Sequence, residues 1–252
     1  MNIIEELKQG KNTALTEAAS MKSVAEILGQ MSLAKKFPRK LDQVLKNSLV
    51  LCSNKKLAEI SGYSIPRKNA KNVEGPSIRL MEAIASEYGN LNYGIKTETD
   101  DFDEGLTRYT VFVLDLEKNI RVQRTFSTRH IRYTKKGIIK LTKDQEIYEA
   151  TANNATRRLR VCLEQIIPKW IVDECFEKCQ QLNASTKLPP TQKEKIIDTF
   201  SKFNVTKLDL ETKIGKTLDK ATDEDIKKLR IILNGIKNDG VQPSDYFGKD
   251  SE

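Results

Sequence analysis

The segment RTFSTRHIRYTKKGIIKLTKD, residues 124–144, sets Arg124, Arg129, Arg132, Lys135, Lys136, Lys140 and Lys143 among Phe126 and Tyr133. Cations hold phosphate oxygens, and aromatic faces accept stacked bases without regard to sequence. A little downstream, NNATRRLR adds Asn154, Arg157, Arg158 and Arg160, with Asn153, Arg157 and Arg160 at helical spacing i, i+4, i+7. Upstream, IPRKNAKNVEGP carries Arg67, Lys68 and Lys71 on a segment bounded by Pro66 and Gly75, read as a loop. Three basic clusters of this kind suit a polyanionic partner, nucleic acid first and anionic lipid second.

The charge is concentrated. The chain carries a formal +8, and residues 120–170 hold twelve Arg or Lys against four Asp or Glu, which equals that whole excess. Residues 96–119 are acidic, and residues 187–252 are nearly balanced. The reactive residue types are sparse by comparison. Cys52, Cys162, Cys175 and Cys179 form no CxxC pair, and the single His130 lies far from them, so no zinc-ligand spacing is present. They read as reduced core thiols in a cytosolic protein. IGKT at 214–217 lacks the phosphate-loop glycine, because Leu210 stands where it is needed. DDFDEG at 100–105 fails as a calcium loop, with Gly105, Leu106 and Phe112 at positions that need Asp or Asn, Gly and Glu. His130, among Arg129, Arg132 and Tyr133, reads as a binding or structural residue rather than a general base. No catalytic residue, metal or cofactor is expected. No secretory leader and no run of about 18 apolar residues is present, so a soluble intracellular protein is expected.

The elements that must position these residues follow from periodicity. Residues 1–62 read as helices, with Met21, Val24, Ile27 and Leu28 as an apolar stripe ending at Pro38, then Leu41, Val44, Leu45 and Leu49. Pro76 is expected to start a helix whose buried face is Met81, Ile84, Ala85 and Tyr88, and Gly89 to end it. NLNYGIKTE and the alternating runs 107–116 and 120–130 predict an antiparallel meander with its middle strand apolar on both faces. The stretch 143–167 is the longest helical pattern, with core stripe Ala155, Leu159, Cys162 and Ile166. Beyond NASTKLPP come three short helices, 191–203, about 206–214 and 223–237, the last with a Thr222–Asp225 capping box. The expected fold is α+β: a small antiparallel meander packed with helices, residues 1–183, then a linker, 184–190, and a small helical bundle, 191–252.

Four stretches, LAKKFPR (33–39), LAEISGYSIPRKNAKNVEGPSIRLMEAIASEYGN (57–90), RHIRYTKKG (129–137) and EIYEATANNATRRLRVCLEQIIP (146–168), resemble the phage and prophage single-strand annealing recombinases, RecT/Redβ-like in the broad sense. The resemblance covers about residues 30–180. It differs at Lys68-Asn69 and at Lys169-Trp170, where the family pattern has glycines and Gly-Asp. It implies ATP-independent binding of single-stranded DNA and pairing of complementary strands by a homo-oligomer, ring or filament, in a bacterial host cell. It marks Arg67, Arg79, Arg132, Lys135, Lys136, Asn154, Arg157, Arg158 and Arg160 as DNA-facing. For residues 191–252 it implies a partner-binding module, meeting a host or phage replication or single-strand-binding protein. Two other readings fit the residues: a single-stranded DNA-binding accessory protein that does not anneal, and a non-catalytic adaptor whose basic face meets an acidic partner.

Overall fold

The structure, a computed structural model, describes residues 3–67, 70–134, 137–187, 189–239 and 241–248. Side chains are described for all of these except residues 3–17, 19, 20, 66, 67, 70, 71, 132–134, 192, 238 and 239.

The meander forms as its alternation requires. Strands β3 (Leu91–Asp101), β4 (Leu106–Asp115) and β5 (Ile120–Arg129) pair antiparallel in the order β3-β4-β5. Successive side chains alternate between faces. Tyr109, Val111 and Val113 of β4 therefore share a face with Phe126, Arg124 and Val122, their cross-strand partners on β5. Helix α5 (Asp144–Ile166) lies across this face. Helices α2 (Leu41–Cys52), α3 (Lys55–Glu59), α4 (Ile78–Tyr88) and α6 (Lys169–Ser185) complete the layer. Leu80, Met81, Ile84, Val111, Val113, Ala155, Cys162, Leu163, Ile171 and Cys175 make the principal core. All four cysteines are free and buried.

One buried arginine ties the helical layer to the sheet. Arg39, just after Pro38, donates from Nη1 and Nη2 to the two carboxylate oxygens of Asp115 at 2.7 and 2.9 Å. Its Nη2 also reaches the carbonyls of Gly89 and Asn90, both at 3.2 Å, and its guanidinium lies 3.9 Å over the Tyr88 ring. Glu117 accepts from the Arg39 backbone N–H and from Asn90 Nδ2. Gly89 (φ 63) and Asn90 (φ 49) both take positive φ, which glycine tolerates best and asparagine better than most residues.

Two hairpins flank the sheet. The basic segment at 62–76 is not a loop but a hairpin of β1 (Gly62–Arg67) and β2 (Ala70–Pro76), with Ser64 opposite Glu74 and Arg67 opposite Ala70. Pro76 ends β2 rather than opening a helix. Ser77 is the N-cap of α4, accepting from Leu80 N–H, and its own hydroxyl donates to the Ile60 carbonyl. The second hairpin, β6 (Ile131–Thr134) with β7 (Gly137–Lys140), leaves the end of β5 through His130.

A second core gathers the C-terminal helices α7 (Pro190–Ser201), α8 (Lys207–Ile214), α9 (Asp223–Asp239) and α10 (Pro243–Phe247) around Phe200, Leu210, Leu229 and Tyr246. The Thr222–Asp225 capping box is formed in full. This bundle does not stand apart. Ile65 of β1 packs into its core, Tyr246 donates its hydroxyl to the Ser64 carbonyl, and Arg230 and Asn234 of α9 bind Glu59.

The longest helix is α1 (Ile3–Lys36), at 34 residues, ahead of α5 at 23. Its expected inward stripe is split. Ile27, Met31 and Ala34 pack on Leu114 and Leu116, whereas Met21, Val24 and Leu28 face outward.

The Arg39 node sets an acid-stability prediction. Burial alone would raise the Asp115 carboxyl, but the Arg39 hydrogen bond and the N–H groups of Lys118 and Glu117 outweigh it and hold the carboxyl below its ordinary range. A group depressed in the fold stabilises it above its unfolded pKa, about 3.9 for Asp, and that contribution is lost as pH falls through the folded value. Thr222 and Lys216 depress Asp225 in the second core in the same direction. Acid titration of the melting temperature is expected to show a loss below about pH 4, and Asp115→Asn to flatten part of it. At neutral pH Asp115→Asn is expected to cost about 3 kcal/mol or more, because Arg39 keeps a buried charge with half its partners gone.

Candidate nucleic-acid interface

Strand β5 and helix α5 bring three arginines of the sequence clusters to one edge of the sheet. Arg158, on the flank of α5, lays its guanidinium 4.0 Å over the Phe126 ring, and Phe126 stacks on Tyr109 at 5.7 Å between centroids. Its Nη1 donates to the Asn154 carbonyl at 3.0 Å, which fixes the side chain along the helix. One turn on, Arg124 of β5 reaches Cys162 of α5. Arg157 lies close enough to act on Arg158 electrostatically: burial first, and then this like charge, holds Arg158 below the ordinary arginine range. Among the described residues no carboxylate pairs with Arg124, Arg157 or Arg158, in contrast to Arg39, Arg79 and Arg230, which each meet one. Like charges that lie side by side without an acid between them favour an anion brought to this surface.

The other positions fall elsewhere. Arg160, expected to face DNA, is a correction: it is 5% exposed, with its guanidinium 3.8 Å over the Tyr63 ring of β1 and its Nε 3.9 Å from Glu164. The helical spacing that groups it with Arg157 is real, but the hairpin packs over that turn of α5. Asn154 turns its amide nitrogen onto the Ala150 carbonyl. Arg79 is ion-paired with Glu82 on α4, and Glu82 faces Tyr93 on β3, the edge opposite β5. Arg129 is exposed, but alternation aims it to the sheet face opposite Arg124. Lys140 is exposed beside Gly105, next to the acidic turn. Lys68, Lys135 and Lys136 lie outside the described residues. Arg67 and Lys71 sit on β1 and β2, and Arg132 and Tyr133 on β6, with side chains outside the described set. The N-terminus of α4 is capped from within by the buried Ser77.

His130 is 2% exposed and interior. Thr107 donates its one hydroxyl proton to Asp100, so the contact between Thr107 Oγ and His130 Nε2 at 2.6 Å needs the proton on Nε2. The backbone of His130 joins Gly105 and Leu141, so the residue anchors the base of the second hairpin. Among the described residues no group of three or more His, Cys, Asp or Glu side chains is placed to hold a metal ion, and no described helix is long and apolar enough to cross a membrane.

Sequence reasoning missed the Tyr109–Phe126–Arg158 stack. Its signal was available, since a tight turn at 116–119 sets Tyr109 opposite Phe126. No family model, curated protein or solved structure matches the chain.

The two arginines of one helical face should respond differently to truncation. Arg160→Ala is expected to lower stability by about 1–3 kcal/mol through lost packing and an unpaired Glu164, whereas Arg157→Ala should stay within about 0.5 kcal/mol in chemical denaturation. A Cβ at Gly235 would collide with the Tyr246 hydroxyl, so Gly235→Ala must push Tyr246 off Ser64. Amide exchange across residues 62–76 is expected to speed up in Gly235→Ala and, more mildly, in Tyr246→Phe.

Proposed function

We propose that the protein binds single-stranded DNA and pairs complementary strands without ATP, as the annealing recombinases it resembles do. The observation that carries the reading is Arg158 over the Phe126–Tyr109 pair, with Arg157 beside it on α5 and Arg124 on the same face of β5 as Phe126, none of the three with a carboxylate partner among the described residues. Guanidinium groups grip phosphates, and the Phe126–Tyr109 pair beneath Arg158 holds its guanidinium in place. Few base-edge readers are needed, because an annealer must leave the bases free to test a second strand. The work takes place in the cytoplasm of a bacterial host, by an assembly of several copies whose joined surfaces multiply weak contacts. The C-terminal bundle keeps outward positions such as Leu208 for a replication or single-strand-binding protein.

Affinity for a single-stranded oligonucleotide should fall with salt at a slope of roughly −3.5 for about five neutralised phosphates. The triple variant Arg124→Ala, Arg157→Ala, Arg158→Ala should lessen that slope by about 2. A salt-independent affinity refutes nucleic-acid binding at this surface. Two complementary labelled oligonucleotides, mixed without nucleotide, should pair faster with the protein than alone. Binding without acceleration identifies an accessory binder rather than an annealer.

A further inference from the structure

Among its described side chains, helix α1 packs on the rest of the protein near its C-terminal end. Ile27, Met31 and Ala34 meet Leu114 and Leu116, and Gln30 accepts from Asn92. At about 1.5 Å per residue the helix is roughly 50 Å long, and about two thirds of it lies ahead of Ile27. Isolated helices are marginal in water, and packing of an apolar face against other elements is what stabilises them. Ala18, Met21, Ala25 and Leu28 offer such a face: all four are exposed, Met21 and Leu28 by 72 and 57%. At 3.6 residues per turn this face lies roughly a third of a turn around the helix from the Ile27–Met31–Ala34 contact, so the body leaves it open.

The same stripe continues through the N-terminal sequence as a heptad. Leu7, Ala14, Met21 and Leu28 recur every seven residues, and Ile4, Lys11, Ala18 and Ala25 fill the other seam position three residues ahead of each. A seven-residue period is the pattern of a helix that supercoils with another helix, and it is narrower than the stripe of a helix packing on its own domain. The alanines allow close approach beside the large residues. Lys11 is the one polar seam residue, and a single lysine there sets register and strand number at some cost in stability.

The flanking positions choose the partner and its direction. In a parallel pair Glu17 of one chain meets Lys22 of the other, five residues on, twice by symmetry. An antiparallel pair centred on the same stretch would set Lys8 of one chain against Lys22 of the other. Within one chain Lys22 reaches Glu26 only at 4.0 Å and both are well exposed, so this contact holds Lys22 weakly.

We infer that residues 4–28 of α1 form a parallel two-stranded coiled coil with the same helix of a second copy of this chain. A second copy supplies the same period, the same length and the complementary charge in register. The inference does not rest on nucleic-acid binding, since none of the arginines at the β5–α5 edge lies on α1.

The test is sedimentation equilibrium of the full chain without DNA. The wild type should associate, and Leu7→Asp with Met21→Asp should lower the mass by about twofold or more while the body keeps its cooperative melt. Glu17→Lys alone should weaken association, Glu17→Lys with Lys22→Glu should restore it, and Lys11→Leu should strengthen it. Under mild oxidation Ala14→Cys should crosslink two chains to each other, because that seam residue faces its own copy in a parallel pair. The wild type, whose cysteines are all buried, should not crosslink. A monomeric wild type, a mass unchanged by the double aspartate variant, a charge swap that fails to restore association, or no crosslink through Ala14→Cys overturns the inference.

Discussion

The contact on which the layers depend is the pairing of Arg39 with Asp115. Three breaks in the chain converge there: the stop of α1 at Pro38, the positive-φ turn Gly89-Asn90 between α4 and β3, and the end of β4. Each would leave backbone carbonyls pointing inward, and one guanidinium satisfies two of them while its fork matches the Asp115 carboxylate. Side chains 6% and 2% exposed make this a buried ion pair. Burying such a pair is expensive unless every remaining donor and acceptor is met. Here the Gly89 and Asn90 carbonyls, the Tyr88 ring and the N–H groups of Lys118 and Glu117 meet most of them, while Arg39 Nε is left with the Glu117 carboxylate at 3.0 Å as an ion pair without a hydrogen bond. The node fixes the angle between sheet and helices, and so fixes where α5 crosses β5.

Arginine therefore does two kinds of work in this chain. Arg39 and Arg230 are charge-paired and interior, and Arg160 is stacked and interior; each joins segments distant in sequence. Arg124, Arg157 and Arg158 lie where a helix meets an edge strand and have no acid beside them among the described residues. Composition counts both kinds alike. The excess of cations in residues 120–170 thus overstates the exposed cationic surface by at least Arg160 and understates the structural role of Arg39, which lies outside it.

What was legible in the sequence is what depends on short-range periodicity. Val111, Val113 and Phe126 alternate, so the meander and its strand order are read directly; Ala155, Leu159 and Cys162 define the buried side of α5 for the same reason. What depends on tertiary contact was hidden. Pro66 and Gly75 mark a loop by composition, yet the hairpin forms because Ile65 and Tyr63 find partners in α9, α10 and α5. Pro76 is a sound first helical residue by local rules, but Ser77 captures both Leu80 N–H and the Ile60 carbonyl, which moves the start. Arg157 and Arg160 share a helical face; only the packed hairpin separates one from the other.

Edge strands carry charges for a second reason, to prevent pairing with another sheet, and Arg121, Arg124 and Arg129 on the open edge of β5 serve that end whatever else they do. Edge protection, however, does not account for the helix beside them. Arg157 and Arg158 are on α5, where no strand edge needs guarding, and Arg158 is desolvated against Phe126 next to a like charge. Two like charges side by side there repel each other, and a neutral residue at either position would avoid that repulsion. A ligand that brings negative charge to this edge offsets it, and a polyphosphate strand brings such charge at every nucleotide. The energetic oddity of Arg158, more than the number of basic residues, is what singles out this edge from the rest of a cationic surface.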